Sequence, residues 1–207
     1  MSQVFQMHPE NPQPRQISRA VELLRKGAIM AYPTDSAYAL GCQLGNKNAL
    51  ERIVRLRALD KHHNFSLMCR DLSELSAYAK VDNPTFRLLK ANTPGPYTFI
   101  LHGSSEAPKR LLHPKRKSIG LRIPNNPIVL ALLEELGEPL LTSSLILAGE
   151  TDPLTDPCDI RDRLDTQIDF IIDGGYCGLK PTTVVDLRDE VPVILRDGAG
   201  DVGVLGL

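Results

Sequence analysis

Tryptophan is absent, and aromatic residues make up only 5% of the chain, so stacked rings that would grip single-stranded nucleic acid are in short supply. Cysteine is scarce and scattered. Cys42, Cys69, Cys158 and Cys177 form no C-x-x-C pair, which argues for reduced thiols and against a disulfide frame or zinc site. No apolar run approaches the ~20 residues of a membrane helix, and residues 1–15 are polar and proline-bearing without the apolar centre of a signal peptide. A cytoplasmic protein with no membrane partner is therefore expected. There is no Walker loop, G-x-S-x-G elbow or H-E-x-x-H pair, which removes the commonest nucleotide and hydrolase classes. His62 and His63 are adjacent, point apart on any regular element and have no third ligand nearby, so no metal site is expected. Excess charge is also missing, since the net value is −1. Its distribution is more informative than its sum.

What remains is an ordinary globular composition, 42% apolar and 24% charged over 207 residues, enough for one good core. The chain is organised around Ala28-Ile29-Met30-Ala31-Tyr32-Pro33-Thr34-Asp35-Ser36-Ala37-Tyr38-Ala39-Leu40-Gly41. The apolar run reads as a buried strand that Pro33 ends, because proline has no N–H for the ladder. Thr34, Asp35 and Ser36 then fall where an α/β sheet usually binds its ligands. The same residues equally suit a turn followed by an N-cap. Before this run, Pro9, Pro12 and Pro14 keep residues 1–15 extended, and Ile17, Ala20, Val21 and Leu24 recur at helical spacing up to Gly27.

Beyond it, a loop through Gly45-Asn46 leads to a helix carrying Leu50, Ile53 and Val54 on one face. A strand is expected over 65–69, helices over 72–79 and 84–91, and a strand over 97–101. Strand 119–123, helix 128–136 and the strand from Leu140 into Thr142-Ser143-Ser144 follow, then a helix capped by Asp159 and strands over 168–173, 183–187 and 191–196. The alternation predicts an α/β sheet, and the late strand-on-strand order makes it mixed. Gly198-Ala199-Gly200-Asp201-Val202-Gly203 spells G-x-G-x-x-G, but no helix can follow to hold a pyrophosphate, so residues 201–207 read as a flexible tail.

Residues 107–133 contain no acidic residue and carry Lys109, Arg110, Lys115, Arg116, Lys117 and Arg122. Such a run suits a solvated loop, and next to a binding edge it also attracts phosphate.

Taken together, Tyr32 to Gly41 resembles the P-T-[ED]-[ST]-x-Y-G-L-G stretch of the YrdC-like domain found in threonylcarbamoyl-AMP synthases. Pro94-Gly95-Pro96-Tyr97-Thr98, Gly120-Leu121-Arg122-Ile123-Pro124, Pro139 to Ser144, Pro181-Thr182-Thr183-Val184-Val185-Asp186 and Arg196-Asp197-Gly198 continue the likeness in the family's order. The nearest branch is that of the YciO proteins. The resemblance spans residues 16–200 and implies a single-domain, twisted mixed α/β sheet flanked by helices, with a concave basic face. It implies ATP or AMP as substrate or ligand, Mg²⁺ accompanying ATP, and no permanent cofactor. The family reaction joins L-threonine, bicarbonate and ATP into threonylcarbamoyl-AMP for tRNA modification.

By motif position, Arg57 and Lys61 would be catalytic, and Thr34 with Thr182 or Thr183 would meet the substrate. Arg57, Arg122, Thr142, Ser144 and Arg196 would meet the nucleotide. Lys109, Arg110, Lys115, Arg116 and Lys117, on a loop away from the pocket, would contact double-stranded or tRNA-like RNA through phosphates and shape. Two departures stand out: Arg57-Ala58-Leu59 replaces K-x-R, and Ser144-Leu145-Ile146 replaces S-x-N. Each removes a preorganised donor, a loss that commonly costs ~10²–10³ in rate. Lys61 would partly stand in for the first. The expected function is therefore binding of nucleotide and structured RNA, with a weak synthase as the alternative.

Overall fold

The central apolar run becomes β2 (Ile29–Tyr32), in which every residue is buried. Ile29 and Ala31 belong to one hydrophobic cluster while Met30 and Tyr32 belong to another, so the strand is packed on both faces. That explains its unbroken apolar character. The computed structural model describes residues 2–59, 65–113 and 115–205.

In chain order, β1 (Gln3–Gln6) and α1 (Pro14–Arg25) precede β2, and β3 (Ala39–Gln43) and α2 (Lys47–Leu56) follow it. Then come β4 (Ser66–Met68), α3 (Leu72–Tyr78), α4 (Asn83–Asn92), β5 (Tyr97–His102) and β6 (Ser118–Arg122). The chain continues through α5 (Pro127–Leu136), β7 (Leu140–Ser144), α6 (Pro157–Leu164), β8 (Phe170–Asp173), β9 (Thr183–Asp186) and β10 (Val193–Arg196). The strands make one ten-stranded sheet in the order β1-β8-β2-β3-β7-β4-β6-β5-β9-β10. It is mixed as expected: β2 runs parallel to β8 and antiparallel to β3, and β5 runs antiparallel to β6 and parallel to β9.

Local chemistry sets most helix starts. Asn46, Asp71, Asp82 and Asn126 accept a backbone N–H from the first turn of α2, α3, α4 and α5, and Gly137 ends α5 with a φ of 76°. Asp156, and not Asp159, caps α6, with Pro157 following at the first helical position. β3 is an addition to the sequence reading, which took its residues for a turn and loop. It pairs with both β2 and β7 and is buried almost throughout, so no polar alternation marks it. Residues 3–6 are extended because they form a strand parallel to β8. Residues 203–205, expected in a flexible tail, form a short 3₁₀ turn whose Leu205 is buried, and the Tyr97 hydroxyl donates to Asp201 O at 3.0 Å.

The two faces of the sheet are covered unequally. Helices α2, α3, α4 and α6 send Ile53, Leu75, Leu89 and Ile160 into the larger cluster on one face. On the other, α1 and α5 cover the β8-β2-β3 half through Val21, Leu24, Val129 and Leu132. The remaining strands of that second face carry Ser66, Thr98, Gly120, Arg122, Thr142 and Ser144, and these side chains line an open cavity.

Candidate nucleotide site

Alternation builds the cavity. On β5, Phe99 and Leu101 enter the core while Thr98 and Ile100 face the cavity; on β6, Leu121 is core while Ser118, Gly120 and Arg122 face out. Gly120 keeps room for its neighbours, since a Cβ there would stand 2.6 Å from Ser66 Oγ and 3.3 Å from Thr98 Cγ2. The cavity has a volume of about 320 Å³, within the ~300–1,000 Å³ of small-molecule sites. Tyr32 closes the helix-covered side, its hydroxyl 2.7 Å from Thr142 Oγ1, and burial pushes that phenol up to about 12.

Arg122 and Arg196 meet at one end of the cavity, and Arg57 stands toward the other. Arg122 pairs with Asp35 at 2.8 Å, both side chains being 7% exposed, and also donates to Ser36 Oγ. Its Nε is buried and has no hydrogen-bond partner among the described residues. Arg196 donates from Nε to Thr182 O at 2.8 Å and from a terminal nitrogen to Thr182 Oγ1 at 3.1 Å. Arg57 donates from Nε to Ile146 O at 2.9 Å and from a terminal nitrogen to Ser143 Oγ. Burial lowers the pKa of both Arg57 and Arg196, and Arg122 lowers that of Arg196 further. Cations dehydrated in this way favour an anion.

The motif residues separate on inspection. Arg57, Arg122, Thr142, Ser144, Thr182 and Arg196 all line the cavity. Thr34 does not: its hydroxyl donates to Ala37 O at 2.6 Å and accepts from the N–H groups of Ser36 and Ala37, so its bonding capacity is spent inside the turn. Thr183 is likewise committed, donating to Gly200 O and accepting from Gly198 N, which leaves Thr182 as the threonine that faces the cavity. Lys61, like His62 and His63, lies outside the described residues.

The basic loop also divides. Lys109 and Arg110 line a second cavity of about 250 Å³ with Lys47 and Leu50, and Lys115 and Lys117 line neither. Arg116 lines the first cavity, which corrects its expected place away from the pocket. Ser66, Thr98, His113, Ser143 and Arg188 join the lining without having been singled out. The hydroxyls had a signal in strand alternation, whereas Arg188 had none. Of the two motif departures, Ile146 faces the cavity, and Leu59 packs against the larger core cluster.

The profile of the Sua5/YciO/YrdC family, described as "Telomere recombination", matches residues 22–198. This chain belongs to that family. Its relatives include the YciO protein of Escherichia coli (strain K12), 61% identical over 202 residues and 98% of each chain. The crystal structure of E. coli YciO superposes with a TM-score of 0.95, at 60% identity over 99% of this chain and 100% of that one. A threonylcarbamoyl-AMP synthase of Vibrio vulnificus (strain YJ016) is 30% identical over 186 residues, 88% of this chain and 98% of its own. The P. abyssi Sua5 crystal structure, complexed with L-threonine, has a TM-score of 0.86 and 27% identity over 94% of this chain and 57% of that one. Every residue lining the cavity falls within the matched range 22–198.

Proposed function

We propose that the cavity is a nucleotide site and that the protein binds ATP, with AMP as the smaller ligand of the same arginines. The observation that carries this reading is Arg122, whose buried Nε has no partner among the described residues, in a cavity it shares with Arg57 and Arg196. A phosphate or carboxylate oxygen satisfies such a donor, and arginine's fork suits it geometrically. Among the described residues the cavity lining includes hydroxyls and His113 but no carboxylate, so Mg²⁺ would arrive on the triphosphate, held by its oxygens. Lys109, Arg110, Lys115 and Lys117 are exposed and of one sign, which supports duplex or tRNA-like RNA as a second partner through its phosphates. Buried free thiols at Cys42 and Cys69, with no helix among the described residues long and apolar enough to cross a membrane, suit a cytoplasmic setting.

A second reading is synthesis of L-threonylcarbamoyladenylate from L-threonine, bicarbonate and ATP. The synthase relative and the Sua5 complex with L-threonine favour it, while the apolar Ile146 in the cavity weighs against a fast reaction.

Calorimetry with ATP tests the first reading. Binding is expected, and Arg196→Ala should weaken it by about 10-fold, the lower range for a charge-assisted hydrogen bond. No heat at millimolar ATP would overturn the reading. Mass detection of the adenylate after incubation with all three substrates decides the second.

A further inference from the structure

The second cavity, beside the first turn of α2, combines an apolar floor with a cationic rim. The floor is Leu50 from α2, Leu141 from β7 and Leu111 from the turn 108–111, which the Leu111 N–H closes onto Pro108 O at 2.8 Å. Leu111 and Leu141 belong to the larger hydrophobic cluster, and Leu50 packs against it. The rim is Lys47, Lys109 and Arg110, all exposed, and among the described residues no carboxylate lines the cavity. Glu51 lies 3.6 Å from Lys47, but both side chains are more than half exposed, so the pair is loose. The side chains of Lys109 and Arg110 make no ion pair or hydrogen bond among the described residues.

We propose that this cavity binds a small apolar carboxylate, an aryl or branched-chain acid whose hydrocarbon body rests on Leu50, Leu111 and Leu141 and whose charge meets Lys109 and Arg110. Size and chemistry select that class. The volume is about 250 Å³. An apolar cavity of ~150 Å³ takes a benzene ring, so this one has room for a ring and a carboxylate. A bare phosphate would satisfy the cations and leave the leucine floor wet, and a neutral hydrocarbon would cover the floor and leave the cations unused. An amphipathic anion does both, and the arginine fork receives a carboxylate through two parallel hydrogen bonds. The site stands on its own geometry, apart from the nucleotide reading. Leu111 also lines the first cavity, so a ligand that fixes its side chain alters a wall of the nucleotide site. Occupancy of the second cavity should therefore change ATP affinity, and ATP should change carboxylate affinity by the same factor. That coupling, unlike the site, rests on the nucleotide reading.

The test is methyl NMR on leucine-labelled protein titrated with benzoate, benzamide, acetate and inorganic phosphate. Benzoate should shift the methyls of Leu50, Leu111 and Leu141 together. Benzamide and acetate should each bind at least about 5-fold more weakly, because each lacks one half of the ligand. Arg110→Gln should weaken benzoate by about 3-fold and Arg110→Glu by more, with benzamide changed less than about 2-fold. Lys90→Gln, at an exposed position that lines neither cavity, should leave benzoate binding alone. Both substituted side chains are exposed, so the fold is not at stake, and the methyl spectrum of each free variant checks this directly. No shift at millimolar benzoate, shifts confined to other leucines, or a loss in Lys90→Gln matching that in Arg110→Gln would overturn the proposal. So would phosphate binding as tightly at the same methyls, which would mean a plain anion site, or benzamide doing so, which would mean an apolar pocket alone. ATP calorimetry at saturating benzoate then tests the coupling, and a change of at least about 2-fold in ATP affinity is expected. Unchanged ATP affinity would overturn the coupling and leave the carboxylate site standing. No ATP binding at all would sink the nucleotide reading, while the methyl shifts still decide the site.

Discussion

Arg122 and Asp35 show how one pair of residues joins stability to function. Both side chains are 7% exposed, and Asp35 also accepts the Asn125 N–H at 2.8 Å, so the carboxylate ties the turn after β2 to the segment after β6. Removing one member of a buried ion pair strands the other in a poor dielectric, which typically costs about 3–5 kcal/mol. Asp35→Ala should therefore lose stability on that scale in urea denaturation, and saturating ATP should recover part of it by supplying a substitute anion. A loss under about 1 kcal/mol would show that Arg122 finds water or another partner. The sequence placed Asp35 in a polar turn and Arg122 in a motif. Nothing in the spacing of positions 35 and 122 joined them, because a contact between residues 87 apart is a product of strand order.

At the scale of elements, β9 and β10 show why a glycine can belong to a site without touching a ligand. Gly198 follows β10 and lies against the Pro181-Thr182 backbone, where a Cβ would come within 2.3 Å of Pro181 O and 2.5 Å of Thr182 C. Backbone atoms cannot move aside as a flexible side chain does. Gly198→Ala should thus push apart the strand ends that carry Thr182 and Arg196, costing about 1–3 kcal/mol in stability and weakening ATP together. Unchanged calorimetry and melting would show that the two strand ends are loosely coupled. Most elements were legible: caps, prolines and apolar period place the helices to within a few residues, because these signals act locally. β3 was not, since a strand buried on both faces shows no alternation. Nor was the division of the basic loop, in which Arg116 turns into the cavity while Lys115 and Lys117 do not.

Across the whole molecule, the unequal coverage of the sheet has a measurable consequence. Tyr32 and Cys42 lie on the adjacent central strands β2 and β3, and burial raises both to about 12, from 10.0 and 9.0. The unfolded chain releases these protons at lower pH than the folded one. Stability is therefore fully present below pH 9 and should fall as pH rises from about 9 towards 12, by up to roughly 1.4 kcal/mol per pH unit for each group. Urea midpoints at pH 7.5 and 10.5 check this, and equal midpoints would mean that alkali reaches these strands without unfolding them. The sequence by itself determined the α/β class, the mixed sheet, the family and which strands present hydroxyls, because these follow from local propensity, alternation and contiguous motifs. Only the tertiary structure decided that Thr34 spends its hydroxyl on its own turn, that Thr182 and not Thr183 faces the cavity, and that Arg122 and Arg196 meet while Arg57 enters the same cavity beside Ser143 and Ile146. It also brought Arg116 and Arg188 into one cavity lining. Those outcomes depend on strand order and on which half of a face the helices leave bare, and both are set by burial of the whole apolar surface at once.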